Sequence, residues 1–207
     1  MIFSIVISFL VAYLLGNLNG AVCISALMND DVRSHGSGNA GLTNFIRNYG
    51  VGRAAYVILI DAGKAVLGCL VAGLILQPYG FYQEGLVLGG VAVILGHDFP
   101  VLLGFKGGKG ILSGWFIALT VDWRIGLLIG AVFFAVYFAT KYVSLGSVLG
   151  ATVFAVGFAV LHHDNLAVMI GGIFMGALTV YMHRSNIVRL LQGKERKTDL
   201  FGKGNHP

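Results

Sequence analysis

Apolar runs, punctuated by short polar segments, fall at about 3–27, 53–76, 84–103, 111–121, 125–140, 145–161 and 165–182. They are continuous and do not alternate, so they read as helices and not as the strands of a barrel. Together they take up most of a 207-residue chain in which 57% of positions are hydrophobic, a further 31 are glycine, and 11% are charged. A soluble domain carries about 25% charged residues, and a chain this poor in them cannot cover a water-facing surface. Disordered chains are polar and charge-rich, which excludes that class too. The expected fold is all-α: a single polytopic membrane domain over 1–207 with about seven transmembrane helices, and a polar tail at 197–207. Three runs hold only 11 to 17 residues, short of the ~20 a span needs. Whether 111–121 fully crosses the bilayer is open at this level.

Charge then sets orientation. Arg33, Arg47, Arg53, Lys106, Lys109, Lys141, Arg184, Arg189, Lys194, Arg196, Lys197 and Lys203 fall on one side of a seven-span threading. Only Arg124 falls opposite, and Lys64 lies inside a span. Such a bias marks the cytoplasmic side, putting the N-terminus outside and the C-terminus inside. The net charge of +5 is therefore read as topology, and no nucleic-acid partner is implied. With no basic segment before it, the N-terminal run reads as a retained first span and not a cleaved signal peptide. Cys23 and Cys69 sit in apolar runs without C-x-x-C or Cys/His spacing, so no disulfide framework, metal site or cofactor is expected. The opposite-side loops carry Glu84, Asp122, His162, His163 and Asp164, with His162 and His163 read as solvated loop. Glycine pairs four apart (Gly16/Gly20, Gly85/Gly89, Gly126/Gly130, Gly146/Gly150, Gly172/Gly176) suit close helix packing in lipid.

Polar residues that packing leaves unexplained gather in four cytoplasmic clusters. The first runs from Arg33 to Arg47 through Ser37, Gly38, Asn39, Thr43 and Asn44. Its glycines let backbone N–H groups converge as in a phosphate cradle; an ordinary polar turn is the competing reading. The second joins His97 and Asp98 to Lys106 and Lys109 on four glycines. It lacks the G-x-x-x-x-G-K-[ST] spacing of a nucleotide loop, which leaves an anion site or headgroup anchoring; the glycines favour the anion site. The third is Asp61 and Lys64, on one helix face and ~12 Å in from Arg53. Ion pairs inside a membrane usually mark function, with helix joining as the alternative. The fourth is Tyr181, His183, Arg184, Asn186 and Arg189, with Lys141-Tyr142-Val143-Ser144 on the same side.

Read in order, Tyr13–Gly16, GSGNAGLTN with Arg47, Asp61 and Lys64, GHDFPVLLGFKGGKG, KYVSLGS and HRSNIVRLLQGKE resemble the bacterial acyl-phosphate-dependent glycerol-3-phosphate acyltransferases, the PlsY family. The likeness runs through the whole chain. It implies a seven-helix enzyme of the bacterial inner membrane with a cytoplasmic active site. That enzyme moves a fatty acyl group from acyl phosphate to the 1-hydroxyl of glycerol 3-phosphate, the first acylation of phospholipid synthesis. The implied partners are these two substrates, membrane lipids and, transiently, the enzyme that makes acyl phosphate. The implied catalytic residues are Ser37, His183 and Asn186. The phosphates fall to Ser37, Gly38, Asn39, Thr43, Asn44, Arg47, Lys106, Lys109, His183 and Asn186. Within that set Lys106 is a phosphate holder, while Lys109 and Asn39 shape loops. Asp61, Lys64, His97 and Ser144 support the site.

Two positions depart from the family pattern: Leu42 replaces an Ala, and Asn17-Leu18-Asn19-Gly20 stands where Ser-x-Pro-x-Gly is usual. Both bear on acyl-chain preference. An acyl phosphate is already activated, so positioning and charge stabilisation suffice and an acyl-serine is not required. Either His183 is the general base, or the phosphate of glycerol 3-phosphate takes the proton; the second is preferred. The H-x-x-x-x-D signature of other glycerolipid acyltransferases is missing. A transporter for a phosphorylated solute is the competing class, but such proteins usually show paired halves with broken helices. Here no half repeats the other.

Overall fold

The computed structural model describes residues 1–200; Lys203 and His206, assigned to the tail, lie outside the described residues. Ten helices follow in order: α1 (Ile2–Asn17), α2 (Gly20–Ala26), α3 (Leu42–Tyr49), α4 (Ala54–Leu76), α5 (Tyr82–Asp98), α6 (Ile111–Val121), α7 (Trp123–Thr140), α8 (Val143–Leu161), α9 (Leu166–Met182) and α10 (Arg184–Leu191). Every apolar run is helical, and no strand occurs among the described residues. The segments Ala54–Tyr79, Tyr82–Leu103, Trp123–Thr140 and Val143–Leu161 are long and apolar enough to cross a membrane. Two further candidates are bent pairs, α1 with α2 at 45° and α9 with α10 at 54°. At 11 residues, α6 is only ~16 Å long. It stands between a group made of α1, α4 and α5 and a group made of α7, α8 and α9.

Some glycines allow the close backbone approach expected where lipid offers no hydrophobic drive between helices. A Cβ at Gly89 would lie 2.3 Å from the Gly68 carbonyl of α4, and one at Gly96 would lie 2.2 Å from the Tyr13 carbonyl of α1. Gly16 and Gly20 are the exception as a pair. The first run is broken between them, and Gly16 meets α5 while Gly20 meets α4.

That break explains the buried ion pair. Backbone groups freed inside a membrane must find partners within the protein. Asp61 Oδ1 accepts from the Gly20 N–H at 3.1 Å, and Lys64 Nζ donates to the Leu18 carbonyl. Lys64 also reaches Asp61 at 2.8 Å and His97 Nδ1 at 2.7 Å. The ammonium thus lies among three acceptors, with the Lys64 and Asp61 side chains at most 2% exposed. Asn19 caps α2 through Val22 N–H at 3.0 Å and donates to the Ala40 carbonyl at 2.9 Å. Asn17 accepts from Leu102 N–H at 3.0 Å. The departures at 17–20 therefore brace the bend, and the Asp61–Lys64 pair seals it.

The far end of the bundle corrects the reading of its loops. His162 is not solvated but 7% exposed, with its ring stacked on Phe158. Its Nε2 lies 3.1 Å from Asp122 Oδ2, and its Nδ1 lies 3.3 Å from Gln83 Nε2. Asp122 in turn caps α7 through Arg124 N–H. The imidazole is a buried tie between α5, α7 and α8. His163 is exposed, as expected.

Candidate active site

Opposite that knot, two cavities meet. One is an apolar slot of about 320 Å³ between α4, α6, α7 and α8, lined by Ile58, Ile111, Leu112, Trp115, Phe133 and Val143 among others. The other is a polar chamber of about 390 Å³. Ser37, Asn39, Arg47, Lys109, Arg189 and Glu195 line both and so mark the junction.

The Gly/Ser/Asn loop brings side chains to both cavities and spends part of its backbone on its own turn. Three of its N–H groups are engaged locally: Ser37 N–H bonds to Asn44 Oδ1 at 3.0 Å, Gly38 N–H to the His35 carbonyl at 2.9 Å, and Gly41 N–H to the Asn39 carbonyl at 3.0 Å. The Asn44 amide also donates to the carbonyls of Val32, His35 and Asn39. Asn44, expected to bind phosphate, staples the loop closed and also lines the slot. Ser37 and Asn39 face both cavities, Thr43 faces the slot, and Gly38 faces the polar chamber.

The glycine-lysine loop reverses a second expectation. Gly108 N–H donates to the His97 carbonyl at 3.0 Å, laying the loop directly on the end of α5. A Cβ at Gly107 would lie 2.0 Å from that carbonyl oxygen, and one at Gly108 would lie 2.0 Å from His97 Nε2. These two glycines are thus there for close packing. The fold over His97 sends Lys109 into the junction and leaves Lys106 exposed, on neither cavity. Lys109, expected to shape the loop, thus stands where both cavities meet, while Lys106, expected to hold phosphate, lines neither. His97 is the buried pivot, held from behind by Lys64.

The third wall forms where α9 gives way to α10. His183 lies at the bend and not on a continuous helix face shared with Asn186 and Leu190. Its Nδ1 lies 2.8 Å from the Thr179 carbonyl. A carbonyl only accepts, so Nδ1 carries the hydrogen and the neutral ring offers Nε2 as an acceptor. Asn186 Oδ1 accepts from Lys109 Nζ, while its Nδ2 donates to Glu195 Oε1 at 2.9 Å. Arg189 Nε donates to Glu195 Oε2 at 2.7 Å. A row therefore runs Lys109, Asn186, Glu195, Arg189. Burial, with Arg189 nearby, pushes the Lys109 ammonium down to about 8. Burial pushes the Glu195 carboxyl up, but its bonds from Asn186 and Arg189 outweigh that and hold it below the usual carboxylate range.

The segment after Gly193 straps this row down. Thr198 N–H donates to the Lys141 carbonyl at 3.1 Å, and its hydroxyl accepts from Arg47 Nε at 2.8 Å. Arg47 also bonds to the Arg196 carbonyl at 3.1 Å, and Leu200 N–H donates to Tyr137 at 2.8 Å. The part of the expected polar tail that lies within 197–200 is therefore docked. Ser144 is buried on the slot's lining, and its hydroxyl helps Asn186 and Arg189 hold the Glu195 carboxyl down. The Ser37 hydroxyl and His183 are not hydrogen-bonded to each other, so no Ser–His–acid relay exists among the described residues.

A polar chamber opening into an apolar slot thus sits at one end of the helical bundle. The sequence pattern of the glycerol-3-phosphate acyltransferase family matches residues 6–193. The chain belongs to that family. A glycerol-3-phosphate acyltransferase of Clostridioides difficile strain 630 is 40% identical over 200 residues, covering 95% of this chain and 96% of the relative. One from Thermoanaerobacter sp. strain X514 is 37% identical over 193 residues, covering 93% and 94%. The crystal structure of PlsY, an integral membrane glycerol 3-phosphate acyltransferase, in its glycerol 3-phosphate form superimposes with a TM-score of 0.84 at 33% identity, covering 96% of this chain and all of that one. The lysophosphatidic acid form gives 0.82 at 32% identity, covering 95% and 96%.

Within this acyltransferase fold, the structure brings Ser37, Asn39, Thr43, Arg47, Lys109, Ser144, His183 and Asn186 to one pair of cavities, with Asp61 and His97 at the slot's inner wall. Lys106 stays outside. Sequence reading missed Glu195 and placed Arg189 in the fourth cluster without a part in the site. The available signal was a lone acid amid Lys194, Arg196 and Lys197.

Proposed function

We propose that this chain acylates glycerol 3-phosphate at its 1-hydroxyl with acyl phosphate as donor, yielding lysophosphatidic acid and inorganic phosphate as the first acylation of bacterial phospholipid synthesis. The observation that carries this reading is the junction, where Arg47, Lys109 and Arg189 stand between a polar chamber and a lipid-compatible slot. Two phosphorylated reactants need the chamber, and one acyl chain needs the slot. Arg47 and Lys109 hold phosphate oxygens through charge-assisted bonds, with Ser37 and Ser144 adding hydroxyl donors. His183 Nε2 accepts the hydrogen of the glycerol 1-hydroxyl and turns its oxygen toward the acyl carbonyl. The new C–O bond forms as the carbonyl–phosphate bond breaks, and the hydroxyl proton ends on a phosphate oxygen. Positioning and preformed positive charge supply the catalysis. Asn186 is a relay that sets Lys109 against Glu195.

In this reading seven helical segments cross the bacterial inner membrane, α6 being the short one, with the N-terminus outside and the site on the cytoplasmic face, the side of twelve basic residues. Sealed vesicles of both orientations test the sidedness. Membrane-impermeant glycerol 3-phosphate added outside is acylated only by inside-out vesicles; uptake without acylation would instead indicate transport.

His183→Ala is expected to abolish turnover. His183→Gln keeps an acceptor beside the hydroxyl and is expected to retain activity within about tenfold. A loss as deep as that of Ala would make His183 itself the base. The pH dependence follows from Lys109. Its ammonium loses its proton as pH rises through about 8, so KM for glycerol 3-phosphate should climb on the alkaline side of that value. Lys109→Arg, which stays charged, should remove this alkaline limb whatever activity it keeps.

A further inference from the structure

The apolar slot ends abruptly. On α6 its lining stops at Trp115 and Phe116, and on α7 it begins at Ile129 and Gly130. Along α6 from Ile111 to Trp115 the rise is only ~6 Å, against ~15 Å for one leaflet of a ~30 Å hydrocarbon core. What closes it is a fixed indole. Trp115 Nε1 donates to the Gly126 carbonyl at 2.8 Å, and its ring sits on Gly130, where a Cβ would lie 2.9 Å from Cζ2. Phe134 packs edge-on against the same ring at 5.9 Å. A bulky side chain bonded at one edge and seated on a bare backbone at the other is a wall, and it stands where the distal end of an acyl chain arrives.

We propose that Trp115 is a specificity-determining residue that sets how much acyl chain the slot accepts, with Gly130 as the seat that fixes its position. This rests on the acyltransferase reading above. Trp115 touches no phosphate-binding residue, so its part is in chain length and not in the chemical step. Trimming the indole deepens the slot, while adding a methyl at Gly130 shortens it, both by crowding the ring and by filling the slot wall directly.

The test compares kcat/KM for a series of saturated acyl phosphates of increasing length, with glycerol 3-phosphate fixed. Trp115→Ala is expected to raise the ratio of long-chain to short-chain kcat/KM, by roughly fourfold for each additional methylene buried. Gly130→Ala is expected to lower the same ratio, and Trp115→Phe, which keeps a ring but loses the tie to Gly126, to fall between wild type and Trp115→Ala. The ratio is taken within one preparation, so a partly unfolded variant does not distort it. Ratios unchanged in all three variants, or moving together in one direction, would overturn the proposal and mean that the chain leaves the slot sideways before Trp115. No transfer from any acyl phosphate by the wild type would instead overturn the acyltransferase reading itself.

Discussion

Replacing Lys109 by Met is expected to lower kcat/KM for glycerol 3-phosphate by about 10²–10⁴, while Lys106→Met changes it less than about threefold. The basis is position. Lys109 Nζ stands at the junction of both cavities and donates to Asn186 Oδ1, whereas Lys106 is exposed and touches neither cavity. Losing a largely desolvated cation that meets an anionic ligand costs about 3–5 kcal/mol, which is the quoted factor. The effect should fall mainly on kcat/KM and follow neither membrane content nor melting temperature. Equal losses from both lysines would return the phosphate role to Lys106.

The second large effect is on folding. Lys64→Met strips the Leu18 carbonyl, Asp61 and His97 of their shared donor, leaving a carboxylate buried without its counter-charge. Removing one partner of such a pair costs about 3–5 kcal/mol, and a fall in melting temperature on the order of 10 °C should follow. Asp61→Asn added to Lys64→Met removes the stranded charge and keeps an acceptor for Gly20 N–H, so the double variant should regain much of that loss. If Lys64→Met melted like wild type yet had no activity, the pair would serve the reaction and not the bend.

The helical membrane architecture was readable because a bilayer imposes its demands on every span: continuous apolar runs, small residues at contacts and basic residues at one end. The bend between α1 and α2 was hidden because apolar composition continues through Leu18, and only the asparagines at 17 and 19 betray it. Asp61 and Lys64 were recognisable as a pair, but their work became visible only with the broken helix beside them. Lys106 and Lys109 are equivalent in sequence, each beside glycine. Which one enters the site depends on the Gly107–Gly108 backbone lying on His97, a contact that spacing does not encode. His162 and Glu195 were misjudged for a shared reason. Each sits in a polar stretch that looks solvated, while the partners that bury it come from elsewhere: Asp122 and Gln83 for His162, Asn186 across the reversal at Gly193 for Glu195.

Leu42 and the 17–20 segment were marked as departures bearing on acyl preference. Leu42 does line the cavity, while Asn17 and Asn19 act on the scaffold behind it. The chain-length question therefore turns on the slot's wall, which Leu42, Trp115 and Gly130 line.

The proposed direct transfer depends on one junction of basic residues bringing two phosphorylated reactants together. The measurement that tests it most directly is product stoichiometry from purified protein in detergent, supplied with acyl phosphate and glycerol 3-phosphate. Phosphate and lysophosphatidic acid should appear in equal amounts, with release of phosphate nearly ceasing when glycerol 3-phosphate is left out. Phosphate release without lysophosphatidic acid, or no turnover by folded protein, would contradict the account.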